Sequence, residues 1–527
     1  MLRRFTITAV SLAIAALLAA SAAAATAGQP YEVTTADGVT LRGWVHFPGQ
    51  PGPYATILEF TPYIDNNGDD SSADLGGFDY LLNAGYALAR VSVRGTGRSG
   101  GCLHFGDRVD VDDVTTVIND LARQPWSTGK IGMVGHSYPA WTQDMAVSTA
   151  PEPLKAVVPT SGVIDLWSLL TRRGAPLAAG LGILFAEAWT AQTSVINEGA
   201  PEHLRCPNLP VDWANNAETA TTGDRTAWFN ERDLRGRMTG TPVPMLRSQG
   251  LQPVGEGHIM QVEGLWDRLQ SDRTHFILGQ WWHQTPEDAR PEWPQTVVAW
   301  FDHYLRDAPQ TFATGVAEYQ DDSGAWHVAD RWPPPSTQTV LRLSGNEVVA
   351  DGTPVQPADQ TFVSADIDPG INVEAGDPRY AVAACGPHQA LYVSRPAGED
   401  ALLAGNFEVD VTLSSTLPGG NFAVFVWKTA GDGSCPDPQA TVMARGMMDL
   451  RHWLVEGRSH DFPIGLPTSL TLRSQPFASQ LRKGERLVVA FGGGAVEITP
   501  DPLKPVLTVN AGTFRLPVVA GELRFEP

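Results

Sequence analysis

The sequence predicts an α/β domain on a parallel sheet, interrupted by an inserted helical cap and followed by a C-terminal β domain. Three observations carry that reading. Between residues 31 and 160, short apolar runs of strand type alternate with segments of helical apolar spacing, the rhythm of a parallel sheet with right-handed crossovers. From about Val163 to Gly240 that rhythm breaks into apolar helical stretches and an irregular, cysteine-bearing segment. Beyond about Ala313 the chain turns to short β-type runs punctuated by Gly, Pro and Asp, which fits a β-sandwich or jelly roll. The expected units are therefore residues 28–312, with the cap at 163–240, and residues 313–527.

Taken in order, residues 31 to 48 read as a hairpin, two alternating runs around the turn signal Asp37-Gly38. Ala55 to Phe60 is a buried-type strand that ends at Thr61-Pro62-Tyr63. A helix over 76–85 leads to a third apolar strand, Tyr86 to Val93, and then to the loop Arg94-Gly-Thr-Gly-Arg-Ser-Gly-Gly101. Helical spacing covers Val111 to Arg123 and stops before Gln124-Pro125-Trp126. Strand Ile131 to Val134, helix Ala140 to Thr149 and strand Leu154 to Pro159 follow. Apolar helices are expected over Trp167 to Asn197. Strands return at Val243 to Ser248 and His275 to Leu278, and a helix over Thr296 to Leu305 closes the first domain. The β-type runs of the second domain include Gln338 to Leu343, Ala401 to Leu413, Asn421 to Trp427, Leu470 to Arg473, Arg486 to Phe491 and Val506 to Val509.

The start of the chain reads as a targeting signal. Arg3 and Arg4 precede an apolar run, Ile7 to Leu18, and a small-residue cleavage pattern at Ala25-Thr26-Ala27. Export with cleavage near Ala27 is expected, leaving a secreted protein. The formal net charge is −21; losing residues 1–27 removes two arginines and no acid, giving −23. So acidic a chain is repelled by phosphate backbones and anionic lipids, which argues against nucleic-acid and membrane partners. The four cysteines, Cys102, Cys206, Cys385 and Cys435, show no CxxC spacing. In an oxidising compartment two disulfides are the natural reading. Pairing within halves gives Cys102–Cys206 and Cys385–Cys435, each stabilising by roughly 4–5 kcal/mol in the loop-entropy model. Two other pairings remain open.

The chemistry centres on Gly135-His136-Ser137-Tyr138-Pro139, a sharp turn between a strand and a helix. Such a turn pushes the Ser137 hydroxyl out of the sheet above a helix N-terminus, where backbone N–H groups can receive an oxyanion. Pro139 replaces the last glycine of G-x-S-x-G. A serine nucleophile needs a base in reach and an acid that orients it. His283, a few residues past strand His275 to Leu278 in Gly279-Gln-Trp-Trp-His283, is the base candidate. The acid should follow strand Val243 to Ser248, but the loop Gln249 to His258 holds no aspartate. Glu256, 27 residues before His283, is the nearest carboxylate, with Asp267 and Glu263 behind it. His136 reads as structural, since the turn points neighbouring side chains apart, and His104 and His303 as ordinary loop and helix histidines. Gly95, Gly97 and Gly100 match G-x-G-x-x-G after a strand, but no helix start follows, so a nucleotide site is not expected. No HExxH or dense His/Asp cluster supports a metal, and no cofactor is expected.

Several pieces together resemble the cocaine esterase/X-Pro dipeptidyl-peptidase family of serine hydrolases, which also includes α-amino-acid ester hydrolases. They are Thr61-Pro62-Tyr63, the Arg94 to Gly101 loop, Gln124 to Tyr138, Trp228-Phe-Asn-Glu-Arg-Asp233, Trp300-Phe-Asp-His-Tyr-Leu305, Ser323-Gly-Ala-Trp326 and Trp332-Pro-Pro-Pro335. The resemblance implies an α/β-hydrolase sheet with a helical cap and a C-terminal jelly roll. It also implies Ser137 as nucleophile, His283 as base, and an oxyanion hole from the Tyr63 hydroxyl and the Tyr138 backbone N–H. Three departures stand out: Ala140 replaces a glycine, Pro253 stands near the usual aspartate, and Gln280 replaces the proline of the histidine loop. The substrate expected is a small ester or a short peptide. A dipeptidyl-peptidase also needs a carboxylate for the substrate ammonium, for which Glu187 and Glu231 are the candidates. The rival reading is a secreted binding protein that kept the fold and lost catalysis.

Overall fold

The computed structural model describes residues 28–64, 73–177, 223–252, 257–364, 389–434, 437, 439–494, 498 and 501–526. The hairpin announced by Asp37-Gly38 is there: β1 (Gln29–Thr34) and β2 (Thr40–His46) pair antiparallel, with Gly38 at φ +87° in the turn. Only a glycine takes that angle without strain. Strand β3 (Tyr54–Thr61), helix α1 (Asp79–Asn83), strand β4 (Ala87–Ser92) and helix α2 (Arg108–Arg123) follow. The Asp107 side chain caps α2, accepting from the Val109 and Asp110 N–H groups at 2.8 and 3.4 Å. Then come β5 (Ser127–His136), α3 (Tyr138–Thr149), β6 (Leu154–Thr160) and the short α4 (Leu166–Leu170).

A tight hairpin, β7 (Thr171–Arg172) and β8 (Ala175–Pro176), interrupts the helix expected over Trp167 to Asn197. Arg173 and Gly174 turn it at positive φ, which ends any helix. The rest of that span lies outside the described residues. Helix α5 (Ala227–Glu231), strands β9 (Met245–Gly250) and β10 (Thr274–Gly279) and helix α6 (Trp293–Arg306) complete the run.

The sheet does not end at α6, as the sequence suggested. Strands β11 (Val316–Gln320) and β12 (Trp326–Ala329) carry it past residue 312, in the order β1-β2-β4-β3-β5-β6-β9-β10-β11-β12. Pairing is parallel from β4 to β11 and antiparallel at both ends. The central strands are buried on both faces, as a parallel sheet covered by helices requires. Val111, Val114, Ile118 and Leu121 of α2, with Met145 of α3, cover one face. Leu81 of α1, with Val297, Trp300 and Phe301 of α6, covers the other. This is an α/β-hydrolase sheet.

The second domain is all β and closes on itself like a barrel. Its core gathers Leu341, Phe362, Phe407, Phe422, Phe491 and Phe514 among others. The long strand Val506–Gly521 pairs with Thr337–Ser344, Gln360–Val363, Ala401–Gly405 and Glu408–Ser415. The single run expected from Ala401 to Leu413 is thus two strands that share this partner but differ in their second, Phe477–Leu481 for one and Thr468–Arg473 for the other, broken at Asn406 and Phe407. Asp322, in the β11–β12 turn, joins the domains: it takes Lys428 Nζ at 2.9 Å, Ser479 Oγ at 2.5 Å and the Gln480 N–H at 3.0 Å. Among the described residues no helix is long and apolar enough to cross a membrane. Cys102 is disulfide-bonded; the other three cysteines, and so the expected pairings, lie outside the description.

Candidate active site

The turn from β5 into α3 is as sharp as the sequence implied. Ser137 sits at φ +67°, ψ −120°, a region that L-residues adopt only under strain. Its N–H donates to Thr160 O at 3.0 Å, and its carbonyl accepts from Ala140 and Trp141 at 3.0 and 3.1 Å. The backbone is therefore pinned on both sides. Gly135, at φ +151°, must be a glycine: a Cβ there would lie 2.3 Å from Pro139 Cβ. Pro139 stands in the first helical turn, where a missing N–H costs no hydrogen bond, so its departure from G-x-S-x-G is tolerated.

His283 arrives from the far side of the sheet. Its Nε2 lies 2.9 Å from Ser137 Oγ, hydrogen-bond distance across 146 residues of chain. Both side chains are half-buried, open enough to meet a small molecule. The loop that delivers the histidine is clamped to the end of β9. Leu251 N–H donates to Gly279 O at 2.7 Å, and Gln252 Nε2 to Gln280 O at 3.0 Å. Gly250 allows this crossing, because a Cβ there would lie 2.1 and 2.3 Å from the Trp281 and Trp282 carbonyls. Gln280, the residue that departs from the family pattern, supports the same loop: its amide donates to Gln320 O at 2.9 Å and to Ala478 O of the second domain at 3.3 Å.

His136 corrects an expectation. Its ring does not point away from the site but packs on the His283 ring, centroids 4.5 Å apart and planes 43° apart. Nothing in the sequence marks that contact beyond the adjacency to Ser137. Tyr138 opens α3 directly after the serine, which puts its amide at the positive end of the helix. Tyr63 stands two residues past β3, the strand paired with β5, and is an exposed aromatic at 44%. Glu256 lies outside the described residues, as does Glu187. The two carboxylates ranked behind Glu256 are engaged elsewhere: Asp267 pairs with Arg331 at 2.6 Å and Glu263 with Arg473 at 3.1 Å. Glu231 is half exposed and sits 3.6 Å from Arg232.

The glycine-rich loop folds back against the start of the sheet. Gly95 N–H bonds Gly100 O and Gly100 N–H bonds Thr40 O, both at 2.9 Å, so the loop folds back on β2. The buried Arg94 fastens it by a bidentate bond to Asp113 (2.7 and 2.6 Å) and a contact to Asp37 at 2.6 Å. The next helix begins only at Arg108.

A second set of polar groups holds the loop at 104–106. Arg232 of the Trp228 to Asp233 motif reaches back to donate to His104 O (2.7 Å) and Phe105 O (3.0 Å), its guanidinium 3.9 Å from the Trp228 ring centroid. His104 bonds Asp107 at 2.8 Å, and that bond, foremost, raises the histidine's pKa. Asp110 accepts the Gly106 N–H at 2.6 Å; burial, with the Asp107 charge adding to it, pushes its carboxyl up to about 7. His303 bonds the Ala308 carbonyl at 2.8 Å. Among the described residues no group of three or more His, Cys, Asp or Glu could hold a metal.

Residues 37–285 match the family model of the X-Pro dipeptidyl-peptidases (S15 family), and residues 311–516 match the X-Pro dipeptidyl-peptidase C-terminal non-catalytic domain. The chain belongs to the X-Pro dipeptidyl-peptidase family. It is a serine hydrolase. A Streptomyces avermitilis protein with the provisional name Xaa-Pro dipeptidyl-peptidase is 24% identical, over 88% of this chain and 75% of its own. A cocaine esterase of Rhodococcus is 26% identical over 47% of this chain and 42% of its own. Among solved structures, an aminopeptidase from a marine sediment thaumarchaeote superposes with TM-score 0.74 at 17% identity, covering 94% of this chain and 97% of that one. An α-amino acid ester hydrolase gives 0.73 at 18%, over 94% and 98%. These two share the fold of this chain across both domains. The reading as a binding protein without catalysis finds no support in any of them.

Proposed function

We propose that this member of the X-Pro dipeptidyl-peptidase family is an exported hydrolase that cleaves ester or amide bonds through a covalent acyl-serine on Ser137. One observation carries the reading: a strained, half-buried serine whose hydroxyl sits 2.9 Å from a histidine ring nitrogen. His283 Nε2 takes the Ser137 proton as Oγ attacks the substrate carbonyl. The Tyr138 amide and the Tyr63 hydroxyl receive the oxyanion, a placement supported by the helix start at Tyr138 and the exposure of Tyr63 beside β5. His283 then returns the proton to the leaving alcohol or amine, and removes one from the water that releases the acid. Glu256 is the carboxylate we assign to orient His283, on its place in the loop after β9. Export rests on residues 1–27, and the disulfides Cys102–Cys206 and Cys385–Cys435 on the compartment that export implies.

Ester and amide chemistry separate in one experiment. Turnover of dipeptidyl-proline p-nitroanilides is compared with that of short-chain p-nitrophenyl esters, each with a stopped-flow measurement of the first turnover. A burst of about one p-nitrophenol per chain with the esters marks the acyl-enzyme. Absence of turnover with both substrate sets, by chain shown to be folded, overturns the proposal.

A further inference from the structure

Gln280 follows directly on β10 and stands three residues before His283. Its backbone N–H donates to Gln320 Oε1 at 3.1 Å, and its carbonyl accepts from Gln252 Nε2 at 3.0 Å. Its side-chain amide donates to Gln320 O at 2.9 Å and to Ala478 O at 3.3 Å. Gln320 is itself held, since its own amide donates to Gly324 O across the β11–β12 turn at 3.1 Å. The start of the histidine loop is therefore fixed by the end of β9 from one side, and by β11 and the second domain from the other. A proline here, the residue of the family pattern, has neither an N–H nor a side-chain amide, so three of these four bonds are closed to it.

The second-domain end of this contact is firmly seated. Ala478 lies on strand Phe477–Leu481 and pairs with Ala404 of Ala401–Gly405; both alanines are buried in the apolar cluster that includes Tyr319 and Trp332. The next two residues of that strand are held by Asp322, through Ser479 Oγ and the Gln480 N–H. Lys428 Nζ closes the corner, bonding Asp322 at 2.9 Å and Gln480 O at 2.6 Å. Such a satisfied, mostly buried polar network is stiffer than its separate bonds. Asp322 stands only two residues past Gln320, so one short stretch meets both Gln280 and the strand that presents the Ala478 carbonyl.

We propose that Gln280 is a positioning residue for His283, and that through it the second domain sets the histidine against Ser137. The role rests on the acyl-serine reading, in which the 2.9 Å approach of His283 Nε2 to Ser137 Oγ governs proton transfer. A misplacement on the order of 1 Å at such a contact costs up to about a hundredfold in rate. The second domain, matched by a family model described as non-catalytic, thereby contributes to the rate without touching substrate.

The test compares kcat and KM for a short-chain p-nitrophenyl ester in the full chain, in Gln280→Met, in Asp322→Ala and in the double variant, with the melting temperature of each. Methionine keeps the length of the side chain and makes none of the amide's bonds. Gln280→Met should lower kcat by about ten- to a hundredfold with KM within about twofold of the parent's, because the contact orients the base and not the substrate. Gln280→Glu, of the same shape but unable to donate to the two carbonyls, should fall likewise. Asp322→Ala should lower kcat severalfold in the parent and add little beside Gln280→Met, since residues of one network are not additive. Lys428→Met, which loosens the same corner, takes its place if Asp322→Ala does not fold. Folded Gln280 variants with the parent's kcat, or equal losses from Asp322→Ala in both backgrounds, would overturn the proposal while leaving the acyl-serine reading intact. A folded parent chain without turnover would overturn both.

Discussion

Arg247 Nη1 lies 2.9 Å from Asp144 Oδ1, and neither side chain reaches solvent. The pair ties β9, whose end clamps the histidine loop, to α3, which carries the nucleophile, across 103 residues of chain. Burial raises the Asp144 pKa to about 6 against the pull of Arg247. Removing one partner strands a buried charge, whereas replacing both with apolar groups need not destabilise. Arg247→Met alone should therefore cost about 3–5 kcal/mol, and Arg247→Met combined with Asp144→Leu should recover most of it. Scanning calorimetry decides this; a single variant as stable as the parent would show that the pair does not join the two elements energetically.

Asp110 makes stability pH-dependent in a known direction. Its carboxyl is raised from 3.8 to about 7, so the folded state holds a proton that the unfolded state releases earlier. Its contribution is complete below about pH 4 and is lost as pH rises through about 7. An asparagine stays neutral and can still accept the Gly106 N–H. Asp110→Asn should match the parent near pH 4 and melt higher than the parent at pH 8. Equal melting temperatures at both ends would refute the shift. Asp107, Asp113 and His104 also act on this carboxyl.

Tyr63→Phe removes one donor from the oxyanion hole we assign. The expected effect is a fall in kcat of about 10²–10³-fold with little change in KM, since the donor acts mainly in the transition state. Steady-state rates with a p-nitrophenyl ester measure it. An unchanged kcat would take Tyr63 out of the mechanism.

Glu256→Gln keeps the size of the side chain and removes its charge. If Glu256 orients His283, turnover falls by several orders of magnitude while residual catalysis survives through the oxyanion donors. A rate equal to the parent's would assign the orienting role elsewhere.

What the sequence made legible was local. The strand, turn and helix around Ser137 announced themselves because a buried apolar run meets a glycine and then helical spacing within a dozen residues. His283 followed from its place just past a strand. The clamp of Gly250 under the Trp281 and Trp282 carbonyls was hidden, because it depends on which loops cross in space. So were the return of Arg232 to a loop 127 residues earlier and the stacking of His136 on His283. The extension of the sheet by β11 and β12 was missed for another reason: half-exposed alternating strands look the same whether they join an α/β sheet or a β domain.

The reactivity of Ser137 can be measured directly. Incubation of the full chain with a fluorophosphonate probe at neutral pH, followed by peptide mass spectrometry, should place one phosphonyl group on Ser137, and His283→Ala should slow labelling by at least about a hundredfold. A folded parent chain in which Ser137 stays unmodified, or labelling that His283→Ala leaves unchanged, would contradict it.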